Sequence, residues 1–166
     1  MNDKIITQGR LMEVISYEPS TGIFLWENNK KCSGPVKVGE VAGSIDFHGY
    51  RIIQIDGAKY RAARLAVLYM TGSFPELVDH INRERSDDRW CNLRACNISE
   101  NNRNISMKSN NTSGVKGISF HKASGKWVAS IRVNKKQLHL GLYSDIELAS
   151  LVVSEARIKY HGEFAA

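Results

Sequence analysis

The chain lacks the features of a disulfide-stapled, zinc-stapled or membrane-spanning protein. Its 166 residues include three cysteines, Cys32, Cys91 and Cys96, and no two of them form a C-x-x-C pair. We therefore expect reduced thiols and no structural zinc. No apolar run approaches the roughly 18 residues that cross a bilayer. The first residues, MNDKIITQGR, lack the apolar segment of a signal peptide. The sequence predicts a cytoplasmic protein with no membrane partner.

Acidic residues are missing from one long stretch of the chain. No Asp or Glu lies between Glu100 and Asp145, an interval that holds eight Lys or Arg residues. Residues 1–102 carry 13 basic and 13 acidic side chains, whereas residues 103–166 carry 10 and 4, so the net charge of +6 arises after residue 102. Each cation placed on a phosphate releases counterions and adds salt-sensitive affinity. The charge pattern favours a nucleic-acid partner, with a solvated basic face as the alternative.

Periodicity and turn signals divide the chain into two parts. In the first part, the patterns predict two helices, three extended segments and an Asp56-Gly57 hairpin turn. The helices are expected at 8–16 and 62–70, and the extended segments at 23–26, 50–55 and 59–61. Residues 103–113, RNISMKSNNTS, are polar without an apolar period and predict a linker. In the second part, strands are expected at about 115–121, 126–133 and 136–143.

The second part ends in a predicted helix that opens on a capping box of Ser144 and Glu147. Its expected apolar stripe consists of Ala149, Val152, Val153, Ala156 and Tyr160. Alternation along the strands predicts that Ile118, Val128 and Ile131 pack on this helix, while Trp127 reads as a core residue or a ligand contact. Three strands and one helix form a self-sufficient α+β layer.

The most informative residues lie in three short segments: Val78-Asp79-His80-Ile81-Asn82, Asp88-Arg89-Trp90-Cys91-Asn92-Leu93-Arg94 and Ser99-Glu100-Asn101-Asn102. Asp79 and His80 are expected at the end of a short strand, and Asn92 at the start of a returning strand. Ser99 is expected to cap a helix that opens at Glu100 and Asn101. Strand, loop, strand and helix are the layout of a ββα-metal site.

These segments resemble the HNH nuclease family, whose phage and intron-homing members carry DHIN, D-x-R-x-x-NLR and SEN in this order. The resemblance covers roughly residues 48–104 and extends to the preceding YRAARLAVLYMTG. One position departs from it, because many members carry a histidine where this chain has Ala63. The resemblance implies a nuclease that hydrolyses phosphodiester bonds in double-stranded DNA.

The residue types fit that chemistry. Imidazole takes up protons near neutral pH, so His80 is the expected general base. A hard divalent cation prefers oxygen ligands, which Asp79 and Asn101 offer, with Mg²⁺ expected and Mn²⁺ the alternative. Asn92 is expected to hold the loop through backbone hydrogen bonds and so to orient His80.

Residues 114–162 resemble the Apetala/ethylene-response-factor DNA-binding domain through GVKGI, GKW, IR, LGLY and the closing His161-Gly162. In that family the exposed face of the sheet enters the major groove. The positions implied as DNA contacts are Lys116, Ser119, His121, Arg132 and His139, with Lys126, Lys135 and Lys136 as phosphate contacts. The chain has fewer arginines than the plant pattern and a serine at position 119. Arginine reads guanine through two hydrogen bonds, whereas serine and histidine discriminate less among bases.

The predicted fold class is α+β: a ββα-metal (HNH) nuclease module followed by a three-stranded antiparallel sheet packed on one helix. The expected domains are residues 1–102, with the nuclease core at about 48–102, the linker 103–113, and residues 114–166. The predicted function is a metal-dependent, homing-type DNA endonuclease, a monomer or weak dimer, located in the host-cell cytoplasm if phage-encoded. The alternatives are a catalytically impaired DNA-binding regulator, which Ala63 would suit, and an RNA-binding protein.

Overall fold

The computed structural model describes residues 6–27, 37–101, 107 and 111–164. Contacts divide the chain into two compact units, Met1–Asn97 and Ile98–Ala166. Most of the predicted linker 103–113 lies outside the described residues, as does Cys32, whereas Cys91 and Cys96 are reduced thiols. Among the described helices, none combines the length and apolar character needed to cross a membrane.

The first unit consists of short strands and two helices. In chain order its elements are α1 (Gln8–Val14), β1 (Ile15–Glu18), β2 (Ile23–Trp26), β3 (Ser44–Ile45), β4 (Arg51–Ile55), β5 (Ala58–Arg61), α2 (Ala62–Thr71), β6 (Leu77–His80) and β7 (Leu93–Cys96). They form three antiparallel sheets, β1-β2, β3-β4-β5 and β6-β7. The prediction of a mixed α and β protein is confirmed.

The first helix is shorter than the predicted 8–16. The Thr7 side chain caps it by accepting a hydrogen bond from the Arg10 N–H, and the helix ends at Val14. Ile15 turns to extended backbone, with φ −140° and ψ 151°, and pairs with Trp26 in the first hairpin. Buried apolar residues therefore continue past the end of the helix, because Ile15 is buried in β1. This is why the sequence predicted a longer helix.

The predicted hairpin at Asp56-Gly57 is confirmed. Asp56 and Gly57 have φ of 51° and 84°, and two successive positive φ values define the type I′ turn that matches the twist of paired strands. After β5 the chain enters α2 directly. Gly72 follows the last residue of α2 and caps it with a left-handed φ of 73°, which suits glycine. The core between these elements is fully buried at Leu11, Val14, Ile15, Phe24, Ile53, Ile55 and Leu65.

The sequence segment of the predicted nuclease motif forms a two-stranded ribbon. β6 pairs with β7 so that Asp79 lies opposite Arg94 and His80 opposite Leu93. Asn92 closes a short 3-10 helix, Trp90–Asn92, just before β7. The next helix, α3 (Ile98–Asn101), belongs to the second unit and begins at Ile98. The helix therefore begins one residue before Ser99, rather than after it as predicted.

The second unit places one helix against a three-stranded antiparallel sheet. Its elements after α3 are β8 (Ile118–His121), β9 (Lys126–Val133), β10 (Lys136–Tyr143) and α4 (Ile146–His161), followed by a 3-10 turn at Gly162–Phe164. β9 is the central strand, and α4 packs mainly on it. The core is small and is buried at Ile118, Ala129, Ala149 and Val153.

Asn111 and Ser113, at the end of the predicted linker, are hydrogen-bonded to the turn before β8 and to its first residue. The Ser113 Oγ lies 2.9 and 2.8 Å from the carbonyl oxygens of Val115 and Ile118, within reach of its one O–H donor. The Asn111 amide donates to the Val115 oxygen and accepts from the backbone N–H of Ser113 and Gly114. Residues 115–117 turn rather than extend, so β8 begins three residues later than predicted.

Three further details correct the expected packing of the second unit. Val128 pairs with Ser119 and Leu142 on the sheet face away from α4, whereas Trp127 packs against the core. Because side chains alternate along a strand, Val128 and Ile131 cannot share a face.

Two predictions for α4 also need correction. Tyr160, which was expected in the apolar stripe, is 41% exposed. The α4 cap is Asp145, which accepts the Glu147 N–H, rather than Ser144.

Candidate functional site

His80 lies at the end of β6 and is almost completely buried. It is 5% exposed, and its Nε2 atom lies 3.1 Å from Oδ1 of Asp88, which is 2% exposed. A buried carboxylate at hydrogen-bonding distance fixes the orientation of an imidazole ring, and it favours the protonated ring once a proton has been taken up. The pair therefore holds the His80 ring in a fixed orientation.

Asp88 was not singled out as a site residue from the sequence. Its other carboxylate atom, Oδ2, is buried and has no hydrogen-bond partner among the described residues. Burial raises the pKa of Asp88, while the hydrogen bond to His80 and the positive charges of His80 and Arg51 oppose that rise. The available signal was its place at the start of the informative segment from Asp88 to Arg94, eight residues after His80.

Asn92 ties together the loop that follows His80. Its side-chain Oδ1 accepts the Asn82 N–H at 2.9 Å, and its Nδ2 donates to the Asp87 carbonyl at 2.8 Å. Its own carbonyl accepts the Ile81 N–H at 2.9 Å. One asparagine thus bridges the two ends of the loop from residue 81 to residue 89.

Asp87 has a different environment from its neighbour Asp88. Arg89 donates from Nε and Nη2 to its two carboxylate oxygens, each at 2.7 Å, and the Asn82 amide donates to it as well. These hydrogen bonds, first among them the one from Arg89, lower the pKa of Asp87 to about 2. Asp87 is therefore an ionised anchor of the loop.

The predicted metal ligands, Asp79 and Asn101, lie in different units. Asp79 is buried beside His80, and its Oδ2 accepts Nε and Nη2 of Arg94 at 2.8 and 2.6 Å. Asn101 is the last residue of α3, in the second unit, so its partnership with Asp79 stays a prediction. Within the described ranges, no group of three His, Cys, Asp or Glu residues could hold a metal ion.

The N-terminal hairpin braces the loop that carries Asp88. The Tyr17 hydroxyl donates to the Asp88 carbonyl at 2.7 Å in a buried contact, and the Trp90 N–H donates to the Pro19 carbonyl at 2.9 Å. Burial, followed by the charge of Asp88, raises the pKa of Tyr17, so the phenol remains a donor. A Cβ atom at Gly22 would lie 2.5 Å from the Arg89 nitrogen. The sequence offered no signal for this brace.

The departure at Ala63 concerns a core position. Ala63 lies in the first turn of α2 and is 4% exposed, within the core of the first unit. The neighbouring Arg64 donates to the Pro75 carbonyl at 3.0 Å and stacks on Phe74. Ala63 therefore packs in the interior near the start of the helix.

The structure brings five of the eight predicted DNA contacts onto one face of the second unit. Strand register places them on the face opposite α4: Ser119, His121, Lys126, Arg132 and His139. Each of these five residues is exposed. Lys116 and Lys135 lie in turns at the sheet ends, and Lys136 pairs with Val133 on the other face. Gln137 and Leu142, which the sequence did not single out, share the exposed face.

Residues 60–103 match the HNH endonuclease family. The match includes Asp79, His80, Asn92 and Asn101, so this part of the chain is an HNH endonuclease domain. Over 88 residues the chain is 31% identical to Protein 3.8 of Escherichia phage T7, covering 53% of this chain and 72% of that protein. The chain therefore belongs to the same family as that phage protein. No solved structure matches the chain significantly.

Proposed function

We propose that this protein is a metal-dependent, homing-type endonuclease that hydrolyses phosphodiester bonds in double-stranded DNA. The observation that carries the proposal is the buried pair of His80 and Asp88, in a loop closed by Asn92, inside an HNH endonuclease domain. A surface histidine with no partner would not need this support. The arrangement is typical of a residue whose ring must be held at a fixed angle.

His80 acts as the general base. Its imidazole takes a proton from the water that attacks the phosphorus atom, and Asp88 stabilises the ring in its protonated form. Asn92 and Asp87 keep the loop closed so that the ring does not turn away from the substrate. General-base catalysis of this kind contributes roughly 10²–10⁴-fold in rate.

The oxygen donors fit a hard cation such as Mg²⁺, with Mn²⁺ as the second choice. Asp79 would supply a carboxylate oxygen and Asn101 an amide oxygen. When bound, the cation would relieve the negative charge on the phosphate and on the leaving oxygen. Arg94 already donates twice to Asp79. The affinity for the cation without DNA is therefore expected to be low.

The second unit binds the DNA. Its exposed face carries Lys126 and Arg132 together with hydrogen-bonding Ser119, His121 and His139, and no acidic residue occurs between Glu100 and Asp145. A three-stranded sheet offers a face suited to the major groove, where base edges are distinguishable. This face is proposed to select the DNA site, and the first unit to cut it.

A plasmid-nicking assay with and without Mg²⁺ tests the proposal. The full chain should nick supercoiled DNA only with the metal, and His80→Ala should slow nicking by roughly 10²–10⁴-fold while DNA affinity stays unchanged. Competition between duplex DNA and duplex RNA checks the substrate class. Metal-independent binding without any nicking would instead favour the impaired regulator, and unimpaired nicking by His80→Ala would exclude the assigned base.

A further inference from the structure

Two arginines stack on an aromatic ring beside His80. The Tyr50 ring centroid lies 6.0 Å from that of His80, and the Arg61 Cζ atom lies 4.1 Å from the Tyr50 centroid. The Arg85 Cζ atom lies 5.2 Å from the same centroid. We call Tyr50, Arg61 and Arg85 the Tyr50 cluster. The chain reaches it from three separate segments, the start of β4, the end of β5 and the loop after β6.

Arg61 and Arg85 differ from other arginines of the first unit in having no ion-paired carboxylate partner among the described residues. Arg10, Arg89 and Arg94 form ion pairs with Asp56, Asp87 and Asp79, at 2.9, 2.7 and 2.6 Å. In the part of the chain that the structure describes, Arg61 and Arg85 form no ion pair with a carboxylate. Both side chains are exposed. Their positive charge is therefore available to a ligand.

Neighbouring hydrogen bonds hold the cluster in place. Arg85 donates from Nη1 to the His48 carbonyl at 2.9 Å, and a guanidinium has five donors, so others remain for a ligand. Asp46 Oδ1 accepts the backbone N–H groups of His48 and Tyr50, each at 2.9 Å, which fixes the turn before Tyr50. These bonds lower the pKa of Asp46, and the Arg61 charge contributes.

The acids near the cluster do not cancel its charge. Asp46 is the neighbouring carboxylate that interacts with Arg61, and it is occupied by two backbone amides. Asp88 is buried against His80 and faces away from solvent. Arg61 and Arg85 therefore place two exposed guanidinium groups near His80, while the carboxylate of Asp46, whose charge couples to Arg61, is already engaged by backbone amides.

We propose that the Tyr50 cluster binds a backbone phosphate of duplex DNA adjacent to the phosphate that is cut. Guanidinium forks match phosphate oxygens in two-point hydrogen bonds, and stacking on an aromatic ring orients the fork before the ligand arrives. The cluster thus sets the position of the strand relative to His80. This inference rests on the proposed nuclease function, to which it adds a substrate-positioning site in the first unit.

Binding measurements on the full chain test the cluster separately from catalysis. In a His80→Ala background, Arg61→Gln and Arg85→Gln should each weaken binding to a short DNA duplex about tenfold. Each should also reduce the slope of log affinity against log salt by about 0.9. Lys59→Gln is the matched control, because it removes one positive charge from the same strand, β5, two residues before Arg61. It should change affinity less than about twofold.

The role of the ring is tested at Tyr50 itself. Tyr50→Phe keeps an aromatic face and should retain affinity, whereas Tyr50→Leu should weaken binding nearly as much as loss of one arginine. Thermal unfolding of each variant checks that the fold is intact. Equal binding by the Phe and Leu variants would overturn the stacking role.

Nicking kinetics complete the test. With an intact His80, Arg61→Gln and Arg85→Gln should raise KM about tenfold while kcat changes by less than about threefold. If both variants bind and cut like Lys59→Gln, the proposed phosphate site is wrong. If the unaltered chain does not nick DNA under any metal condition, the nuclease proposal fails instead, and the binding measurements still decide the role of the cluster.

Discussion

The two units use their positive charges in different ways. In the first unit, Arg10, Arg89 and Arg94 form ion pairs with carboxylates of the same unit. In the second unit, Lys126 and Arg132 point from the exposed face of a sheet. Internal ion pairs fix local geometry, whereas exposed cations attract a polyanion. Apart from the Tyr50 cluster, this difference agrees with the proposed division, in which the first unit positions the chemistry and the second binds DNA.

The hydrophobic cores differ in the same sense. The first unit buries a continuous cluster that reaches from Leu11 to Leu93, next to the site ribbon, whereas the second has a small cluster around Ala129 and Val153. Strain in the first core is therefore expected to reach His80, because close-packed interiors transmit displacement. Changes on the second unit's exposed face should alter DNA binding without altering the chemical step.

The largest effect is expected from Gly22→Ala. Gly22 has φ +74°, and a new Cβ would lie 2.5 Å from backbone atoms of Asp88 and Arg89. Left-handed strain and overpacking together should lower the free energy of unfolding by about 2–5 kcal/mol. The displaced Asp88 loop should also lower kcat. Urea unfolding and nicking kinetics measure the two effects.

Gly57→Ala serves as the control for Gly22→Ala. Its φ of +84° is equally unfavourable for alanine, but a Cβ there meets no atom within 4 Å. It should lower the free energy of unfolding by about 1–2 kcal/mol and leave kcat unchanged. Equal losses of kcat in both variants would show that the hairpin does not brace the site.

Substitution of the adjacent aspartates Asp88 and Asp87 should change the free energy of unfolding at neutral pH with opposite sign. Burial raises the pKa of Asp88, so its ionised form destabilises the fold at neutral pH. Asp88→Asn should raise the free energy of unfolding by about 1 kcal/mol at pH 7. The gain should shrink as pH falls through the raised pKa of folded Asp88 and should be lost below about 3, where Asp88 is protonated in the folded and the unfolded chain. Nicking should slow despite the added stability, because the amide no longer stabilises a protonated His80.

Asp87→Asn is the matched comparison for Asp88→Asn. Hydrogen bonds from Arg89 lower the pKa of Asp87 to about 2, so its stabilising contribution is complete above the unfolded pKa and is lost as pH falls through 2. The variant should be less stable than the unaltered chain at pH 7, and the difference should vanish near pH 2. Urea midpoints across this pH range measure both variants, and shifts of the same sign would contradict the two environments.

The smallest effect is expected from Lys126→Ala in the second unit. Lys126 lies at the start of β9 on the exposed face, opposite His121. Loss of one phosphate contact should reduce the salt slope of DNA binding by about 0.9 and leave kcat unchanged. Lys159→Ala, on α4 at the other side of the sheet, should leave the slope unchanged. Equal slopes for both variants would place DNA elsewhere on the unit.

Sequence patterns were sufficient to predict the elements that depend on residues close together in the sequence. The Asp56-Gly57 turn, α2 and the three strands of the second unit follow from local turn chemistry and periodicity. Val128 shows the limit of that reasoning, since a hydrophobic residue in a strand was assigned to the core although its register places it on the exposed face. Composition alone does not determine which face a strand residue occupies.

The candidate site shows the same division between local and distant contacts. Asp79, His80 and Asn92 follow from a short motif, but the contact of Asp88 with Tyr17 joins residues 71 positions apart. Arg61 and Arg85 likewise meet on Tyr50 from three separate segments. Spacing along the sequence does not predict these contacts, because only tertiary packing brings the residues together.

The hydrogen bond between Tyr17 and Asp88 also affects the order in which contacts form during synthesis. Contacts between residues so far apart in sequence form late, since a long loop must close first. During synthesis, the Asp88 loop is therefore expected to lack this brace until the chain beyond Asp88 has emerged and docked on the N-terminal hairpin. A nascent chain should be inert toward DNA until then. For the same reason, a short segment carrying the motif without the first hairpin is expected to leave the Asp88 loop unbraced.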